Sequence, residues 1–169
     1  ADADKLEQGV LRERLDKWKD DASETILNQG HARLAEIVTM DFEVQRAMGD
    51  AEQLRAQPLN DDAALISASV RRAAIAQRDA FDAATSAADM AFVNELKAPP
   101  EQREASKLRE TINLNEAEAT PEMTDKARAR LVEIETMDDK VRSMMPDPDE
   151  LQNAPLDDDS VLMSASVRS

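Results

Sequence analysis

Apolar side chains recur along this chain at the spacing of a helix face. Leu34, Ile37, Met40, Val44 and Met48 form one stripe, and Leu131, Ile134, Met137, Val141 and Met145 form a second. Steps of three and four residues bring such side chains to the same side of a helix. The first stripe predicts a helix over residues 23–56, with Ser23 as its N-cap and Gly30 and Gly49 as weak points, Gly49 a place to end or kink. Leu11, Leu15 and Trp18 predict a shorter helix over residues 4–19. Val70, Ala74, Phe81, Ala84, Ala88 and Phe92 predict a third over residues 61–96, with Gln77 as its one polar break. Asp61 and Asp62 would sit at its N-terminus, where negative charge meets the positive end of the helix dipole.

Further on, Leu108 and Ile112 mark a helix over residues 101–113. Thr120-Pro121-Glu122 reads as N-cap, first-turn proline and acid, opening a helix that runs to about Met144. Asp157, Asp158, Asp159 and Ser160 are expected to open the last helix. Pro99 and Pro100 should end the third, since proline lacks the amide a helix needs. No segment alternates apolar and polar residues with β-branched enrichment, so the expectation is an all-α fold without sheet.

The two stripes belong to an internal repeat. At a shift of 97, residues 33–71 align with residues 130–168 without a gap, and 21 of the 39 positions are identical. RLAEIVTMD meets RLVEIETMD, PLNDD meets PLDDD, and SASVR recurs unchanged. Leu11-Arg12-Glu13 also matches Leu108-Arg109-Glu110. The expected domains are residues 1–98, a first helical unit, and residues 99–169, a second unit truncated after its SASVR. The expectation is a segment cut from a longer array, although a natural C-terminus would also truncate the last copy. Short connections favour antiparallel neighbours, so each unit is expected to be an antiparallel three-helix bundle, joined end to end with the next into an elongated particle; close pairing with a coiled-coil dimer partner is the alternative. The plan resembles spectrin repeats, in which a tryptophan of the first helix sits in the core. Trp18 would take that place, buried against the two long helices, although its match in the second copy is Asn115.

Composition sharpens this picture. Aromatics are 2% of the chain and much of the apolar share is alanine, which suits thin helical bundles better than a thick globular core. The net charge of −15 disfavours nucleic acid and anionic membrane, and no basic block interleaved with aromatics is present. An acidic chain can also act as a decoy for a basic DNA-binding partner. No apolar run approaches membrane-spanning length, so no membrane insertion is expected.

Little in the sequence points to chemistry. Cysteine is absent, which removes thiolate metal sites and disulfides. His31 is the single histidine and is matched by Arg128. Three glycines, at positions 9, 30 and 49, cannot build a phosphate-cradling loop. Among the acids, Glu36/Glu133 and Asp41/Asp138 recur between copies. They lie off the centre of the stripe and are expected on a solvated face. Asp147-Pro148-Asp149-Glu150 superficially suggests a calcium loop, but Leu151 stands at the fifth position and no glycine at the sixth. These acids, and Asp157–Asp159, are expected to cap helices. The methionines Met40, Met48, Met137 and Met145 are expected to fill core. No catalytic, cofactor-binding or metal residue is therefore assigned, and no cofactor.

Pro155–Ser160 (PLDDDS) and Pro58–Asp62 (PLNDD), together with Ala88-Asp89-Met90-Ala91-Phe92 ahead of a proline pair, resemble elements of the large tandem-repeat cytoskeletal proteins of trypanosomatid parasites. The resemblance implies a cytoplasmic, cytoskeleton-associated helical array. The expected function is a non-enzymatic structural segment serving as spacer, tether or scaffold. Its partners would be proteins, namely neighbouring repeats and cytoskeletal or scaffold components, and the truncated unit leaves room for a homo-oligomer. The competing expectation is an acidic helical binding module, either a surface or secreted protein or a decoy for a basic partner.

Overall fold

The computed structural model describes residues 3–169. Among these the regular structure is all helical, with no strand. A 3-10 turn at Ala3–Lys5 precedes α1 (Gln8–Trp18), α2 (Glu24–Ala47), α3 (Ala51–Arg55) and α4 (Ala68–Leu96). A second 3-10 turn, Pro100–Gln102, precedes α5 (Ala105–Asn115), α6 (Pro121–Met144), α7 (Pro148–Leu151) and α8 (Ala165–Arg168). Contacts divide the chain into Ala1–Asp82 and Ala83–Ser169. That boundary falls within α4, whereas the sequence repeat divides at residue 98.

In the first unit, Ser23 caps α2 by accepting from the Ile26 amide, as its position predicts. α1 packs on α2 at Gly30. A Cβ placed there would lie 2.5 Å from Leu15 Cδ2, so the missing side chain is what lets Leu15 come this close. The core gathers Val44 and Ala47 of α2, Leu54 of α3, Leu59 and Ile66 of the following loop, and Ala74 of α4. In the second unit Thr120 caps α6, with Pro121 in the first turn. Phe92 of α4 is fully buried among Leu108 and Ile112 of α5 and Ala127 and Ile134 of α6. A separate cluster joins Val141 to Met163 and Val167.

Several expectations are corrected. The helix predicted over residues 23–56 stops at Ala47. Asp50 then caps α3 by accepting from the amides of Glu52 and Gln53, both at 3.0 Å. Asp147 does the same for α7, as expected of these acids. The third helix opens at Ala68 rather than at Asp61, and the last at Ala165 rather than at Asp157. Local charge favoured the acids as helix starts, but hydrogen bonds within the loop hold them in turns. Asp61 accepts from the Ala63 amide, and Asp158 accepts from both the amide and the hydroxyl of Ser160. The Ser160 hydroxyl, foremost, holds the exposed Asp158 carboxyl below the usual carboxylate range.

Trp18 is not a core anchor. It is 51% exposed, with Lys17 Nζ 5.3 Å from the ring centroid. Of the four stripe methionines, Met40, Met48 and Met137 are half-buried against the clusters, but Met145 is exposed. The fluorescence of Trp18 should therefore peak near that of free tryptophan. Trp18→Ala should change unfolding stability by no more than about 0.5 kcal/mol, against about 3–5 kcal/mol for Phe92→Ala, both read from urea titrations.

Candidate functional site

The most highly organised polar group centres on Asp41 and, 97 residues on, Asp138. The buried face of α2 runs Ile37, Asp41, Val44, which are spaced four and three residues apart. A carboxylate thus stands in line with two core side chains and is only 1% exposed. Asp138 lies between Ile134 and Val141 in the same way, 2% exposed. The expected solvated face for this pair is corrected; Glu36 and Glu133, one position from Ile37 and Ile134, are exposed as anticipated.

Hydrogen-bond donors compensate each aspartate, as a buried carboxylate requires. Ser67 gives Asp41 its backbone N–H at 2.7 Å and its hydroxyl at 2.6 Å, and Gln8 adds its side-chain amide at 2.8 Å. Ser164 gives Asp138 the same two bonds at 2.7 and 2.6 Å. Position 105 is alanine, so the third donor exists only in the first unit.

Around each carboxylate, the N-terminal ends of two helices cap one another. Ser67 precedes α4, and its Oγ accepts from the Gln8 amide at the start of α1, 3.0 Å away. The Leu6 carbonyl accepts from the Ala68 amide. Glu7, the residue before α1, spans the Ser69 amide and hydroxyl with its two carboxylate oxygens, each at 2.8 Å. The counterparts repeat these bonds: Ala105 N–H to Ser164 Oγ at 3.0 Å, Ala165 N–H to the Arg103 carbonyl, and Glu104 to the Ser166 amide and hydroxyl, each at 2.7 Å. The first amides of a helix have no partner within it, and here each helix start supplies acceptors to the other.

Arginine closes the loop that leads in. Arg71, 7% exposed, donates to the carbonyls of Leu59, Asp61 and Ala64. Arg168 donates to those of Leu156, Asp158 and Val161. Every polar residue of SASVR thus has a structural role. The first serine meets the buried aspartate, the second meets the glutamate before the opposite helix, and the arginine ties down the loop. Arg103 replaces Leu6 and adds a bond to the Val161 carbonyl. Burial, then the nearby Arg130 and Arg168, hold its guanidinium below its ordinary pKa.

The Ser67 and Ser164 hydroxyls touch a carboxylate, but each is enclosed and already accepts from a backbone amide. The arrangement therefore joins chain segments. Beside Asp138 lies a polar depression whose walls include Glu104, Arg109, Glu135 and Arg142, with Arg109 paired to Glu135. Among the described residues no group of three or more His, Asp or Glu side chains is placed to hold a metal ion, and no helix is long and apolar enough to cross a membrane. His31 lies exposed on α2. No protein-family model, curated protein or solved structure matches the chain.

Asp41→Ala would strand three donors, two of them on a buried serine, and should cost about 3 kcal/mol or more by urea denaturation. Ser67→Ala leaves the Gln8 amide without its acceptor and should cost about 1–3 kcal/mol. Glu36→Ala, on the exposed side of the same helix, should stay within about 0.5 kcal/mol of the parent.

Proposed function

We propose that this chain is a non-enzymatic segment of a helical tandem-repeat protein, acting as an elongated spacer, tether or scaffold. One observation carries the reading: the hydrogen bonds that fix Asp41, Ser67, Glu7 and Arg71 recur at Asp138, Ser164, Glu104 and Arg168, 97 residues on. The same sequence repeat is accompanied by the same joints, which supports units built alike and strung in series. In such chains each unit touches mainly its neighbours, and length scales with copy number. The units would be antiparallel helical bundles, given that α4, α5 and α6 each contribute side chains to one cluster.

The most ordered polar residues serve the fold, which favours a mechanical over a catalytic role. The resemblance to trypanosomatid cytoskeletal repeats favours a cytoplasmic array, with neighbouring units and cytoskeletal components as its partners. Small-angle scattering on chains carrying one, two and three added 97-residue units should show the maximum dimension rising by a constant step. A radius growing as that of a compact sphere would refute the spacer.

A further inference from the structure

We infer that the surface of α1 and the first half of α2 is a docking groove for one further helix: a copy of the C-terminal half of α4, supplied by a preceding unit of the same chain. The inference rests on the array reading and identifies the joint that would link its units. Within the second unit the equivalent surface is already occupied. Ala88 and Phe92 of α4 are 1% and 0% exposed, and Phe92 clusters with Leu108, Ile112 and Ala127, all buried. A polar contact fixes the same helix in register. Asp89 accepts from the Thr120 amide at 2.8 Å and from the Thr120 hydroxyl at 3.0 Å, at the very start of α6.

A shift of 97 carries that surface onto the first unit. Leu108, Ile112, Met123 and Ala127 become Leu11, Leu15, Ile26 and Gly30, and Thr120 becomes Ser23. The apolar character persists and the cover is incomplete: Leu15 stays buried, at 8% exposed, and Leu11 half-buried, while the start of α2 is open. Ile26 is 61% exposed, while its counterpart Met123 packs against the Phe92 cluster. Trp18 stands exposed at the rim, and Leu15, Trp18, Ala22, Ile26 and Leu27, with Arg14 and Asp21 beside them, line a largely apolar groove. Ser23 also keeps the polar half of the joint. Like Thr120 it accepts from the amide three residues on, at 3.4 Å, which leaves its own hydroxyl hydrogen for a carboxylate placed as Asp89 is.

These features specify the occupant. The helix must be small-faced at the positions of Ala84 and Ala88 to come close, must present one phenylalanine to Leu11 and Leu15, and must carry an aspartate for Ser23. Residues 83–97 meet all three conditions. In the register of the repeat, a copy of them ends immediately before Ala1.

The test is the full chain extended by a copy of residues 83–97 directly before Ala1. Its Trp18 emission should move to the blue and its Tm should rise relative to the unextended chain. The same extension carrying Phe92→Asp in the copy should do neither. Unchanged emission and Tm, or equal behaviour of the two extensions, would overturn the docking. A response that appears only as the particle doubles in mass would assign the helix to a second molecule and overturn the in-chain joint. Scattering on whole-unit additions tells the two readings apart. A constant step without the Trp18 response leaves the spacer and removes this joint, whereas the response without a step does the reverse.

Discussion

A carboxylate buried in the apolar interior is the constraint on which each unit depends. Asp41 is surrounded by protein and is compensated by donors drawn from two places far apart in sequence, the start of α1 and the start of α4. Leaving such a group unpaired in the interior costs several kcal/mol, so the low-energy arrangement is the one that brings both helix starts to it. Helix N-termini suit this role because their first amides are unpaired and their dipoles favour negative charge. Glu7 and Glu104 exploit the same property from the other side. A small apolar core fixes little geometry on its own, and these directional bonds supply the register that alanine-rich faces lack.

The loop before α4 follows from the same group. Residues 56–67 contain no helix, yet Leu59 and Ile66 are buried and Arg71 gathers three of the loop's carbonyls. An irregular segment with that many internal acceptors satisfied can remain in place without helical hydrogen bonds. It also explains why aspartates that favour a helix start on electrostatic grounds are found in turns. The gain from a dipole contact is below about 1 kcal/mol, less than the combined bonds that hold Ser67 and Arg71.

The helical class, the caps at Ser23 and Thr120, the stop before Pro99 and the repeat itself were legible because each rests on local spacing or a single residue type. The aspartate was not. Its signal lay in plain view: Ile37, Asp41 and Val44 are spaced like core positions, and the aspartate recurs unchanged at 138. At about 100° per residue, the helical increment, Asp41 falls about 40° from Ile37 and about 60° from Val44, inside the stripe, and only its charge argued for solvent. SASVR was visible as an identity, but its role was not, because its partners Glu7 and Glu104 lie 62 residues away. Trp18 misled for a different reason. Its apolar character reflects a surface that needs cover, and the described residues of the first unit do not provide it.

Native-state hydrogen exchange at the Gln8, Ser67, Ala68 and Ser69 amides, and at Ala105, Ser164, Ala165 and Ser166, tests the central claim most directly. These amides stand at helix starts, where fraying normally gives fast exchange. If the reciprocal caps around Asp41 and Asp138 hold each unit together, the amides should exchange only on unit-wide opening, with protection matching that of Ile37 and Ile134. Exchange at the rate of an ordinary frayed helix end, while the helix interiors stay protected, would contradict the account.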